Sequence, residues 1–134
     1  MNKKKNFLLV FNPKSQRRNA SKKFDEIQRR LSEYHCEFEA IESKDLKNKK
    51  ADLEKYDSVV AVGGDGTILS ILSELRHKNV KLGIIPCGTA NLFAAGLGIP
   101  NNLEKAIDIL FRGANSYVDI GKAGEKYFAL RIGL

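Results

Sequence analysis

The apolar positions of this chain fall into two kinds of stretch, short unbroken runs and longer segments of helical spacing, and the two alternate. Phe7-Leu8-Leu9-Val10-Phe11 is unbroken, as in a strand covered on both faces, and predicts strand over 6–11. A polar loop, 12–18, follows. Ala20, Phe24, Ile27, Leu31 and Tyr34 then recur every three or four residues, which predicts an amphipathic helix with Lys22, Lys23, Arg29 and Arg30 mostly on its wet side. From Glu37 to Glu42 charged and apolar residues alternate, predicting a second strand at or near a sheet edge. Lys44 to Lys55 is polar and predicts a loop or a short helix.

The clearest run is Ser58-Val59-Val60-Ala61-Val62, which leads straight into Gly63-Gly64-Asp65-Gly66-Thr67. Ile68, Leu69, Ile71, Leu72 and Leu75 follow at helical spacing. Lys81 to Ile85 predicts a fourth strand, stopped by Pro86, and 87–91 a loop before a short helix that ends by Gly96. Asn101 is placed to cap the next helix, with Glu104 three residues on as in a capping box; Leu103, Ala106, Ile107, Leu110 and Phe111 form its apolar face. Tyr117–Ile120 and Tyr127–Ile132 predict two last strands joined by a turn around Gly121 to Gly124. Alternating strands and helices imply an α/β fold, a three-layer, mostly parallel sheet with helices on both faces. Such sheets bind ligands beyond the carboxyl ends of their strands, where the loops 12–18, 63–67 and 87–91 would all lie.

Composition changes this picture in three ways. The 134 residues suit one domain with at most part of a second. Twenty-three Lys and Arg against sixteen Asp and Glu give a net charge of +7, concentrated at Lys3–Lys5, at Lys14, Arg17, Arg18, Lys22 and Lys23, and at Lys44, Lys47, Lys49 and Lys50. Such a surface suits a nucleotide's phosphates, an anionic membrane or nucleic acid. Nucleic acid is the weakest of the three and is not expected as a partner, because no aromatics interleave with the basic stretches and no nucleic-acid-binding motif is present. No apolar run is long enough for a membrane-spanning helix, and the five apolar residues from Phe7 are too few for a secretory signal, so the expectation is a cytoplasmic protein. Cys36 and Cys87 form neither a disulfide framework nor a metal-ligand pattern and are expected as reduced thiols. His35 and His77 are isolated and expected at the surface.

The loops carry the candidate chemistry. In 63–67 the glycines remove Cβ atoms, so the backbone turns sharply and its N–H groups can face an anion. The positive end of the following helix adds to this. Asp65 would repel phosphate unless a cation or water stood between them, which implies magnesium, and Thr67 can donate its hydroxyl to a phosphate oxygen. A tight strand-to-helix turn is the plainer alternative. Gly88-Thr89-Ala90-Asn91 repeats the device, with helix-start chemistry as its alternative. Asn12-Pro13-Lys14-Ser15 offers a rigid turn, an amide, a hydroxyl and a positive charge.

Together the loops resemble the diacylglycerol kinase catalytic domain, the superfamily of bacterial lipid kinases and sphingosine kinases, over essentially the whole chain. The family motif Asn-Pro-x-Ser-Gly reads Asn12-Pro13-Lys14-Ser15-Gln16 here, Gly-Gly-Asp-Gly-Thr is complete at 63–67, and Pro-x-Gly-Thr-x-Asn-Asp-Phe-Ala reads Pro86-Cys87-Gly88-Thr89-Ala90-Asn91-Leu92-Phe93-Ala94. Leu97-Gly98-Ile99-Pro100 and Val118-Asp119-Ile120-Gly121 also look like the family. The middle motif is shared with NAD kinases and, loosely, phosphofructokinases; the last is not.

The resemblance implies a peripheral lipid kinase that transfers the γ-phosphoryl group of ATP to a diacylglycerol-like hydroxyl at the inner membrane face. ATP would lie against Asn12, Pro13, Lys14, Ser15 and Gln16, against Gly63, Gly64, Asp65, Gly66, Thr67 and Ser70, and against Gly88, Thr89 and Asn91. Asp65 would organise Mg2+ and its water around the phosphates. Gln16 in place of glycine, Ser70 in place of glutamate and Leu92 in place of aspartate depart from the family pattern. They keep open a non-catalytic nucleotide-sensing module beside the NAD kinase-like alternative. The family's acceptor-activating base lies in a second, β-rich domain. The expected division is therefore a nucleotide-binding domain over 1–116 and, over 117–134, strands leading into a truncated second domain.

Overall fold

A computed structural model describes residues 4–12, 20–75, 80–87, 99, 102–112, 115–123 and 126–133. The loop at 13–19 and the stretch from Gly88 to Gly98, including the expected short helix, lie outside the described residues.

The three unbroken apolar runs form the centre of one sheet: β1 (Lys5–Phe11), β3 (Ser58–Gly63) and β4 (Lys81–Pro86), with β2 (Cys36–Glu42) at one edge. All four are parallel. Alternate side chains go to opposite faces of a strand, and each face is covered. Leu8, Val10, Val59, Ala61, Leu82 and Ile84 pack under α2 (Asp65–Leu75), through Ile68, Ile71, Leu72 and Leu75. Phe7, Leu9, Val60, Val62 and Ile85 pack under α1 (Ala20–Ser32) and α3 (Leu103–Arg112), through Ile27, Leu31, Ile107 and Leu110. Phe111 stacks on Tyr34 at 4.4 Å and meets the Phe7 ring edge-on at 5.3 Å. The predicted α/β class, a mostly parallel sheet with helices on both faces, is the observed one.

The polar stretch after β2, expected as a loop or a short helix, is a 3-10 helix, Ser43–Lys55, and it buries Leu46 and Leu53 against the α2 side of the sheet. Two local outcomes differ from the sequence expectation. The N-cap of α3 is Asn102, not Asn101: its Oδ1 accepts from the Lys105 amide at 3.0 Å and its carbonyl from the Ala106 amide at 2.9 Å, a cap of about 1 kcal/mol. Glu104 therefore makes no capping box and reaches Arg30 on α1 instead, at 3.5 Å. Finally, β5 (Asn115–Ala123) and β6 (Lys126–Gly133) are longer than expected and pair antiparallel, with an irregularity between Asp119 and Lys122. β6 pairs parallel with β4, Lys81 opposite Arg131 and Leu82 opposite Ile132, so the sheet order is β2-β1-β3-β4-β6-β5. No described helix is long and apolar enough to cross a membrane.

Candidate functional site

Parallel pairing sends the carboxyl ends of β1, β3 and β4 to one edge. Phe11 lies opposite Val62 and Gly63 opposite Pro86, so Asn12, Gly64 and Cys87 leave the sheet side by side. The Cys87 amide donates to the Gly63 carbonyl at 3.0 Å, joining two of the three expected loops at their roots. Burial pushes the Cys87 thiol above its ordinary pKa, which leaves it a poor nucleophile.

The turn out of β3 is built around Gly63, whose φ of 156° is one that side-chain-bearing residues rarely adopt. Gly64 is the N-cap of α2, its carbonyl accepting from the Ile68 amide at 3.2 Å. Asp65, Gly66 and Thr67 form the first turn, where a helix concentrates positive potential. Gly66 is exposed, with nothing within 4 Å of where a Cβ would stand. Thr67 is only 2% exposed, and its hydroxyl has no hydrogen-bond partner among the described residues. That hydroxyl stands against Gly63, 2.8 Å from where a Cβ on that residue would lie.

Beside this turn lies a cavity of about 610 Å³. Asn12, just past β1, lines it, and α2 supplies Ser70, Ser73 and Glu74. The end of β2 and the first turns of the 3-10 segment supply Glu42, Ser43, Lys44 and Lys47. Glu42 and Lys44 are paired at 3.1 Å, and the Ser73 hydroxyl donates to the Ser70 carbonyl at 3.0 Å. Among the described residues no aromatic or large aliphatic side chain lines the space, so this lining suits a polar ligand of hydroxyl and phosphate chemistry rather than an acyl chain.

Of the sequence-predicted residues, Asn12 and Ser70 line the cavity, while Gly63 to Thr67 form the neighbouring turn. Pro13, Lys14, Ser15, Gln16, Gly88, Thr89 and Asn91 lie outside the described residues. The sequence reading missed Glu42, Ser43, Lys44, Lys47, Ser73 and Glu74. For the α2 pair a signal existed: Ser70, Ser73 and Glu74 share one helix face at i, i+3 and i+4.

The model of the diacylglycerol kinase catalytic domain family matches residues 6–123, a span that runs from β1 through β5. The chain belongs to that family. Two curated relatives in it, the diacylglycerol kinases of Staphylococcus aureus strains JH9 and Newman, are 40% identical over 92 residues, covering 67% of this chain and 29% of theirs. The crystal structure of a diacylglycerol kinase from Bacillus anthracis strain Sterne matches with a TM-score of 0.78 at 26% identity, over 96% of this chain and 47% of that one. The chain thus spans under a third of the curated relatives' length and about half of the crystallised chain.

Membership in a kinase family raises the question of nucleotide and metal. Among the described residues no three His, Cys, Asp or Glu come together as a metal cage. Magnesium in phosphate sites needs only one or two carboxylates and takes its other ligands from phosphates and water. Asp65, partly exposed at the start of α2, fits that donor set.

Proposed function

We propose that this chain is the nucleotide-binding part of an ATP-dependent lipid kinase, which transfers the γ-phosphoryl group of ATP to a diacylglycerol-like hydroxyl at the membrane surface. The observation that carries this reading is the junction of β3 and α2. A glycine turn feeds a helix start at the very edge where Asn12 and Cys87 also emerge, beside a polar cavity. Phosphates would meet the first-turn amides around Gly66 and the loop from Asn12 through Pro13, Lys14, Ser15 and Gln16, with Gly88, Thr89 and Asn91 approaching from the β4 side. Asp65 would hold Mg2+, through water, against those phosphates. Phosphoryl transfer depends chiefly on positioning and charge neutralisation, and these residues supply the nucleotide's share of both. The base that activates the acceptor belongs to a second domain beyond these residues, with 1–116 as the nucleotide-binding unit and 117–134 leading into that domain. The net charge of +7 supports peripheral attraction to anionic lipid.

Titration calorimetry with ATP, with and without Mg2+, tests the nucleotide reading. Labelled ATP and diacylglycerol in detergent, given to the full-length protein, test the transfer. Binding of ATP that Mg2+ strengthens, together with labelled phosphatidate, is the expected outcome. Binding without transfer by the full-length protein would favour the nucleotide-sensing module, and no binding would refute both.

A further inference from the structure

The charges lining the cavity balance in number, but not all of them are paired directly. Glu42 is matched by Lys44. Glu74 on the α2 wall and Lys47 on the 3-10 wall form no ion pair with another described residue. Glu74 is partly buried, and a carboxylate withdrawn from water needs hydrogen-bond donors. Its neighbour on the helix does not supply one, since the Ser73 hydroxyl is bonded to the Ser70 carbonyl at 3.0 Å.

The α2 wall is also polarised along its length. Its start at Asp65 and Gly66 is the end that favours anions. Glu74, in the last turn, lies about 13 Å further along at a rise of 1.5 Å per residue. A negative charge there repels phosphate. A ligand lying along this wall therefore points its anionic end toward Asn12 and the helix start, and a neutral, hydrogen-donating part toward Glu74. With no aromatic or large aliphatic side chain among its described lining residues to sandwich a base, the donor this cavity suits is a sugar hydroxyl.

We propose that Glu74 is a specificity-determining residue for the nucleotide, accepting a hydrogen bond from a ribose hydroxyl, while Lys47 on the opposite wall balances its charge. This rests on the nucleotide reading above. The test compares binding of ATP, 2′-deoxy-ATP and 3′-deoxy-ATP to the wild-type protein, Glu74→Gln and Glu74→Ala. Glu74 sits in the last turn of α2, where Gln and Ala are both good helix formers, and circular dichroism checks that each variant is folded. A hydrogen bond to a charged acceptor corresponds to about tenfold or more in affinity. The wild type is expected to bind ATP at least about tenfold tighter than one deoxy analogue. Glu74→Gln should keep part of that preference, and Glu74→Ala should reduce it to about twofold or less. Unchanged discrimination in folded Glu74→Ala, or none in the wild type, would overturn this assignment while leaving the nucleotide reading intact. A wild type that binds none of the three would overturn both.

Discussion

A Cβ on Gly63 would stand 2.8 Å from Oγ1 of Thr67, so the end of β3 and the first turn of α2 are fitted together around a missing side chain. The φ of 156° adds a second reason for glycine. Gly63→Ala must therefore strain the backbone and displace Thr67, at a cost of about 1–3 kcal/mol. Urea unfolding should show the loss as a lower midpoint with an unchanged slope. A midpoint equal to that of the wild type would mean that the turn relaxes freely and that glycine is not required there.

Thr67 itself presents the opposite case. Its hydroxyl is buried and unpartnered among the described residues, and an unsatisfied buried polar group costs about 1–3 kcal/mol. Thr67→Val keeps the shape and removes the group, so stability should rise by about 1 kcal/mol. Because the hydroxyl is turned toward Gly63, ATP affinity should stay within about twofold of the wild type, well short of a lost hydrogen bond. A tenfold or greater loss of affinity would show that the hydroxyl rotates outward to the phosphates.

Gly66 separates folding from binding. A methyl group there meets nothing within 4 Å, and Gly→Ala in an allowed conformation stabilises by about 0.4–1 kcal/mol. If phosphate approaches the first-turn amides, that same methyl crowds it. Gly66→Ala should thus unfold at a higher urea concentration yet bind ATP about tenfold more weakly, as expected for a lost charge-assisted hydrogen bond. Undiminished ATP binding would move the phosphates away from this turn.

Much of this arrangement is legible in the amino-acid sequence. β1, β3 and β4 are strands buried on both faces, so their apolar runs are unbroken and their ends predict where loops meet. α1 is equally plain, since Ile27 and Leu31 recur at helical spacing and are both fully buried. The 3-10 segment was legible only as a loop or a short helix, because its two leucines, Leu46 and Leu53, are seven residues apart with mostly polar residues between them. The cap of α3 was ambiguous between two adjacent asparagines. The hydrogen bonds of the Lys105 and Ala106 amides to Asn102 decide it. The cavity was half-visible: Ser43, Lys44 and Lys47 belong to no motif, and only the placement of β2 beside β1 brings them near Asn12.

On the outer side of that edge, Glu39 accepts from the Tyr56 hydroxyl at 2.7 Å and pairs with Lys49 at 2.6 Å. The Lys49 hydrogen bond, then that of Tyr56, holds its carboxyl below the ordinary 4.5. A depressed folded-state pKa contributes stability above the unfolded value and loses it as pH falls through the folded value. The side chain is 48% exposed, so solvent screens the pair and the effect is small. Glu39→Gln should accordingly melt lower than the wild type near neutral pH, and the gap should close as pH drops below 4.5. A gap that is constant across that window would mean that the ionised form of Glu39 contributes nothing.

The functional proposal rests most heavily on Asp65. As the first residue of α2 it has a structural role available, since a negative charge at a helix start contributes about 0.3–1 kcal/mol. A role in holding magnesium predicts something that this helix contribution does not. If the carboxylate holds the metal against the phosphates, Asp65→Asn removes the charge with little change of shape, and Mg2+ should no longer strengthen ATP binding. Metal-free binding should persist or tighten slightly, because the variant also loses a charge that repels phosphate. Calorimetry in the presence and absence of Mg2+ measures both, and urea unfolding separately measures the helix contribution. A folded Asp65→Asn that binds ATP as tightly as the wild type, with the full response to magnesium, would reduce Asp65 to a helix-start residue and place the metal elsewhere.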